Sequence, residues 1–207
     1  MVLDLLSWLL EQIGGASGSL SVFLGSYGYL AVFTLMTLEA AALPIPSEVI
    51  LPLIGLLAAE GTFSFPIALA VVLVAGVVGM FIDYYIAYFF GKDVVYKHLG
   101  MFHISRKSLD KFDEAFDRNG KFAVFITRMI PLVRALINFP AGFAMMNKKT
   151  FLFYSVAGAL IWDTVLMSFG YYGLASSNVY IVMTGIAIFA IAIYVVYKVG
   201  MAKMKKM

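Results

Sequence analysis

Four charged side chains stand in otherwise apolar sequence, Glu39 and Glu48 in one stretch and Arg128 and Arg134 in another. An ionised group at bilayer depth costs about 3 kcal/mol on insertion scales, so each calls for a partner or a task. A guanidinium stays charged at any biological pH and its planar fork donates two parallel hydrogen bonds, so paired arginines suit a phosphate or carboxylate. A carboxylate takes up and releases protons, which arginine does not, so Glu39 and Glu48 are candidates to carry a coupling proton or to gate the arginines. Equally, acids and arginines could pair to hold two segments together. The readings are compatible, since an arginine paired at rest can be released to an anion. Asp83 and Asp163 are each the only charge of a further apolar stretch and could cap polar contacts in a bundle or assist transport directly.

Other chemistries find little material. There is no Cys, which excludes a thiol nucleophile and Cys-ligated metal sites. His98 and His103, the only histidines, lie in a charged stretch without a carboxylate cluster of ligand spacing and read as surface side chains, so no metal site is expected. An intramembrane lipid phosphatase would need a nucleophile with a base or a metal cluster, and the one candidate pair, Ser47 beside Glu48, is better explained as polarity at a bend. No catalytic residue, cofactor or nucleic-acid partner is expected. The start of the chain, with Asp4 and Glu11 around its apolar run, does not read as a signal peptide.

The elements that must position the four charges are membrane helices. The chain has 207 residues, 62% hydrophobic and only 13% charged, against about 25% charged in soluble domains. Leu3, Leu6, Leu9, Leu10 and Ile13 predict a short helix lying in the interface, ended by the Gly/Ser stretch 14–21. Residues 22–59 are broken by Pro44 and Pro46, which remove donors and force the preceding residues out of the α region. Two arms around a non-helical elbow are expected. Residues 122–147 repeat the pattern, with Pro131 as one break and Pro140-Ala141-Gly142 as another. Prolines and spacing together let Arg128 and Arg134, about 240° apart on a continuous helix, turn toward one cavity. Full spans are expected over 65–90, 151–175 and 179–197, and Leu109, Phe112, Ala115 and Phe116 mark an amphipathic surface helix from Ser105 to Asn119-Gly120.

Charge decides between hairpin and span. Residues 1–91 hold six acids and no Lys or Arg, whereas 92–207 hold all 15 basic residues against six acids. If 122–147 is a re-entrant hairpin, the 92–121 loop, Lys148-Lys149 and the Lys-rich tail all fall on one side, which the positive-inside bias makes cytoplasmic. The expected fold is therefore all-α and polytopic, a single membrane domain over 1–207. It comprises two inverted units, 1–91 with an outer-face hairpin over 22–59 and 92–175 with a cytoplasmic-face hairpin over 122–147, each with an interfacial helix and a transmembrane helix. A last transmembrane helix over 179–197 leaves the C-terminus cytoplasmic. Inverted repeats with broken helices meeting near the midplane are the usual architecture of secondary transporters.

Glu39, Pro44-Ile45-Pro46-Ser47-Glu48, Arg128-Met-Ile-Pro131-Leu-Val-Arg134, Ala141-Gly142, Phe151 and Gly158-x-x-x-Trp162 together resemble the DedA family, also called the SNARE-associated or VTT-domain family. The resemblance spans roughly residues 20–175 and is most specific at R-x-x-P-x-x-R with the following A-G. It implies an inner-membrane protein with two re-entrant hairpins, in a family implicated in translocating lipid-linked carriers such as undecaprenyl phosphate, in maintaining proton motive force and in envelope integrity, with lipid scramblases among eukaryotic relatives. Glu39 and Glu48 match the family's acidic positions at the first elbow, and Arg128 and Arg134 its two arginines. In Gly79-Met-Phe-Ile-Asp83-Tyr-Tyr-Ile-Ala87-Tyr88 the chain departs, with Ala87 and Tyr88 where Gly and Arg are common and Met80 where some members carry Asp; Asp83, a turn later, could serve instead.

The expected function is transport of an anionic lipid carrier, a polyprenyl phosphate or a phospholipid, across the cell membrane. Arg128 and Arg134 bind the phosphate, Glu39, Glu48 and Asp83 couple protons or gate, and Pro44, Pro46, Pro131, Pro140 and Gly142 form the elbows. Partners are the membrane lipid and the proton, and a homo-oligomer is compatible with the pattern. The rivals are a lipid phosphatase and a non-transporting assembly or envelope-maintenance protein.

Overall fold

The structure, a computed structural model, describes the backbone of residues 2–43, 45–99, 116, 120–130 and 134–174, with side chains over 18–43, 45–91, 116, 120–130 and 134–173. Pro44, Pro131, most of the 105–119 segment and the helix expected over 179–197 lie outside the described residues. All described elements are helical: α1 Val2–Ala40, α2 Ser47–Ala59, α3 Phe65–Leu99, a helical stretch over 120–127, α4 Asn138–Phe143, α5 Lys148–Ser168 and a π-helix Phe169–Leu174. Three apolar stretches are long enough to cross a membrane, Gly18–Ala40, Phe65–Gly91 and Lys148–Gly173, whereas the apolar α2 has 13 residues and is too short.

The helical break in α1 is not where the composition suggests. Residues 14–21 are helical, so the short helix expected over 3–13 runs on, and the interruption falls at Gly28 (φ 60°, ψ −143°). Gly and Ser weaken a helix by only about 1 kcal/mol each, and in apolar surroundings no water competes for their backbone bonds. A positive φ costs glycine little, and that is what turns the chain at Gly28.

At the first elbow, α1 closes with a Schellman-type bond from Leu43 N–H to Leu38 O (3.3 Å) around Ala42 in the left-handed region (φ 52°). Pro46 then stands as the extended N-cap of α2. Pro140, expected to break the chain, lies in the first turn of α4, where its missing N–H breaks no helical bond. Gly142 likewise sits inside α4. A side chain there would strike the backbone of Tyr84, so its role is close packing on α3 rather than bending. After α4 the chain turns through a second Schellman motif, Met146 N–H to Ala141 O and Met145 N–H to Gly142 O (both 3.0 Å), with Met145 left-handed (φ 49°). Asn147 then caps α5 by accepting from the N–H groups of Lys149 (3.1 Å) and Thr150 (3.3 Å).

Packing runs from the short helix outward. Nearly every side of α2 is buried, from Ser47 and Ile50 to Leu57 and Ala58, because it is enclosed by α1, α3, α5 and the π-helix. Pro52 and Gly170 bring α2 and the π-helix backbone to backbone. By contrast α3 exposes Ile67, Val74, Val78, Ile82, Ile86, Phe89 and Phe90, the apolar surface expected to face lipid. α3 and α5 are antiparallel, since Phe65 meets Tyr171 at one end and the Tyr85 ring meets Lys148 near the other. The ends of the elbows fall between these ends: Gly79 of α3 packs on Thr37 and Ala40, and Gly158 of α5 packs on Phe125 and Arg128.

Candidate functional site

Arg134, in the turn before α4, is held by two carboxylates. Its Nε donates to Glu39 Oε1 (2.9 Å) and its Nη2 lies 2.6 Å from Glu39 Oε2, the bidentate fork that guanidinium geometry favours. Its Nη1 is 3.3 Å from Asp163 Oδ1. The end of α1, the second broken segment and α5 are thus tied through one cation. All three side chains are buried, with side-chain exposures of 6–9%.

Arg128 is buried to a similar degree but meets neutral groups. Its Nη2 donates to Asn138 Oδ1 (2.6 Å) and Ser155 Oγ (3.2 Å) and lies 3.5 Å from Met80 Sδ. Its Nε has no hydrogen-bond partner among the described residues, and neither has the buried Thr37 hydroxyl. A buried donor left unpaired costs about 1–3 kcal/mol, so an idle edge on a buried cation is unusual.

Asn138 sits between this arginine and the third carboxylate. Its amide nitrogen donates to Asp83 Oδ2 (3.0 Å) and to the Ala40 carbonyl (3.2 Å), while its oxygen accepts from Arg128. One amide therefore joins α3, the end of α1 and the second broken segment, and keeps Asp83 from meeting Arg128 directly. Between the two arginines lies a cavity of about 30 Å³ lined by Met36, Glu39, Met80, Arg128, Arg134 and Asp163 among others. That is room for a water or two, far below the roughly 300–1,000 Å³ of small-molecule sites. The cluster holds three carboxylates (Glu39, Asp83, Asp163) and two guanidiniums, so fully ionised it carries one excess negative charge.

Of the site residues expected from sequence, Glu39, Asp83, Arg128 and Arg134 come together. Glu48, half-buried in the first turn of α2, makes no ion pair with a described residue, though its charge acts on Arg134 from a distance. Asp163, expected only as a contact in the bundle or an assistant, is a direct partner of Arg134. Asn138 and Ser155 were not singled out by sequence; the available signal was two polar side chains in apolar runs, Asn138 just before Pro140 and Ser155 one turn before Gly158. Among the described residues no group of three or more His, Cys, Asp or Glu is arranged to hold a metal ion.

A chain whose described elements are all helical, with three apolar helices long enough to cross a membrane and five charged side chains buried between broken segments, is a helical membrane protein. The family model of the VTT domain matches residues 45–172, and the chain belongs to that family, the DedA membrane proteins. It is similar to "Undecaprenyl phosphate transporter A" of Staphylococcus aureus, 33% identical over 178 residues, covering 84% of this chain and 87% of the relative. "Alkaline phosphatase-like protein" of Lactococcus lactis is 33% identical over 156 residues, 71% of each chain. "Protein DedA" of Escherichia coli is 26% identical over 201 residues, 91% of each. No solved structure matches the chain.

Proposed function

We propose that this protein carries an anionic lipid, a polyprenyl phosphate or a phospholipid, across the cell membrane, with Arg128 as the group that receives the phosphate and Arg134 as the pin that holds the site. The observation that carries this is the difference between the arginines: Arg128 has neutral partners and an idle Nε, while Arg134 is saturated by Glu39 and Asp163. The name of the Staphylococcus aureus relative supports the phosphate-bearing lipid as cargo.

The geometry supports two re-entrant hairpins. Tyr29, just after the Gly28 break, accepts from Ser64 N–H (2.8 Å) beside the start of α3, whereas Ala40 lies at Gly79 in the middle of that 27-residue span. Twelve residues at about 1.5 Å each cover 18 Å, little more than half of a hydrocarbon core of about 30 Å. The second broken segment approaches from the other end, since the chain runs from Asn138, at Asp83, through Gly142, packed on Tyr84 and Ala87, to Met146 at the Tyr84 hydroxyl. Elbows entering from opposite faces and meeting at Glu39–Arg134 fit an inverted pair, and the positive-inside bias makes the second face and the C-terminus cytoplasmic.

Proton coupling follows from the charge count. One proton neutralises the excess negative charge of the resting cluster, and Asp83, bonded to an amide rather than a cation, is the carboxylate best placed to take it. A phosphate reaching Arg128 adds negative charge, which favours that uptake. In this scheme Glu48, in the first turn of α2, gates rather than binds.

The test is reconstitution in liposomes with labelled polyprenyl phosphate. Flipping well above empty vesicles, abolished by Arg128→Gln and stripped of its pH dependence by Asp83→Asn, is the expected result. Flipping equal to empty vesicles, or unchanged in Arg128→Gln, overturns the reading. Release of inorganic phosphate from the same lipid would support the phosphatase alternative instead.

A further inference from the structure

A second cavity lies away from the buried cluster, at the end of α3 where α4 turns into α5. It is an open cleft of about 440 Å³ lined by Tyr84, Tyr88, Met145, Met146, Asn147, Lys148 and Lys149. Its size falls within the range of small-molecule sites, about 300–1,000 Å³. Its walls differ in character: two exposed lysines form one side, and the half-exposed ring of Tyr88, with Tyr85 outside the cleft, leads onto the exposed Phe89 and Phe90 of α3. Lys148 is drawn toward α3, its Nζ 4.9 Å above the Tyr85 ring. Tyr84 forms the floor. Its hydroxyl donates to Met146 O (2.7 Å), and its ring packs against Phe151 (5.2 Å).

We propose that this cleft is a docking site for the phosphate headgroup of a membrane lipid, the position it occupies before reaching Arg128. The ligand assignment rests on the carrier reading above; the location rests on the cleft. A headgroup between Lys148 and Lys149 would leave its chain against the exposed aromatic face of α3, the arrangement a lipid still in its leaflet requires. The cleft is also continuous with the buried site along one helix. Tyr84 follows Asp83 directly, and Tyr88 lies eight residues beyond Met80, about 12 Å along the axis. The buried Tyr84 ring, stapled to Met146, lines the cleft one residue from Asp83 of the buried cluster. Basic residues at a span end ordinarily serve as interfacial anchors, and an anchor needs neither a cleft nor a tyrosine floor.

The full chain is reconstituted in phosphatidylcholine vesicles and exposed to a photoreactive short-chain polyprenyl phosphate, with crosslinked peptides mapped by mass spectrometry. Labelling is expected at Tyr88 and 145–149. It should fall about thirtyfold in the Lys148→Gln/Lys149→Gln variant, as loss of two lysines near a membrane surface implies, and persist in Lys148→Arg/Lys149→Arg. Both lysines are exposed, so these variants keep the fold. Equal labelling in the Gln variant, or equal competition by uncharged polyprenol, overturns the site. Displacement by inorganic phosphate as effective as by polyprenyl phosphate overturns the lipid assignment. Flipping is read in the same vesicles: labelling of the cleft without flipping removes the carrier reading and keeps the site, and flipping without labelling does the reverse.

Discussion

Arg134 and Arg128 are six residues apart, equally buried, and line the same small cavity, yet one meets two carboxylates and the other meets an amide, a hydroxyl and a thioether. The difference assigns separate work to two residues that look alike. A guanidinium pinned by Glu39 and Asp163 is neutralised, and moving it would strand two buried acids. Arg128, with only neutral partners among the described residues, keeps its positive charge to offer, and an incoming phosphate displaces weaker bonds. Removing each arginine should therefore separate stability from transport.

The largest effect belongs to Arg134→Ala. Losing one partner of a buried ion pair destabilises by about 3–5 kcal/mol, and here two carboxylates lose the same partner. The variant should melt well below the parent in detergent, or fail to accumulate. Arg134→Met combined with Glu39→Gln and Asp163→Asn should recover most of the melting temperature without recovering flipping. If Arg134→Ala melts like the parent, Arg134 is no pin and the contrast fails.

Asn138→Ala comes next. It removes an amide with no exposed surface and strips a partner from Arg128, Asp83 and the Ala40 carbonyl together. With about 1–3 kcal/mol for each buried polar group left unsatisfied, a loss of about 3 kcal/mol is expected in thermal unfolding. Flipping should also lose its normal pH dependence, because Asp83 and Arg128 are then free to meet. A variant that melts early but keeps the parent pH profile would make Asn138 a scaffold only.

Much of this cluster was legible in the sequence because charge in an apolar run is rare and costly, which singled out Glu39, Asp83, Arg128, Arg134 and, in a lesser role, Asp163. Partnership was not legible. Which acid meets which arginine depends on where the elbows end, and Pro46 as the N-cap of α2 leaves Glu48 in the first turn, without an ion pair to a described residue. Asn138 and Ser155 escaped notice because uncharged polar side chains in membrane helices are inexpensive and common. Pro140 misled for a related reason: a proline marks a break in a helix interior but is tolerated in a first turn, and the start of α4 depends on the turn before it. The break at Gly28 rather than 14–21 shows the same limit, since composition records flexibility and the tertiary contacts choose where it is used.

Arg128→Gln separates the two arginines more directly. The shorter neutral side chain vacates Asn138 and Ser155 but strands no ion-paired carboxylate, so the expected loss is about 1–2 kcal/mol in thermal unfolding. Flipping should nonetheless vanish. A melting loss as large as that of Arg134→Ala would show that both arginines are structural.

Ser155→Ala is the smallest and the most selective probe. The Ser155 hydroxyl accepts one of the bonds that hold Arg128 at rest, at 3.2 Å, and it has no exposed surface. Its removal should cost about 1 kcal/mol, too little to disturb the helices around it. If Arg128 must leave its neutral partners to take a phosphate, weakening the resting state lowers the energy needed to depart. Flipping at low lipid concentration should then be unchanged or slightly faster despite the lower melting temperature. A loss of flipping out of proportion to that small destabilisation would mean that Ser155 acts on the cargo itself, and that the resting partners of Arg128 are part of the binding site.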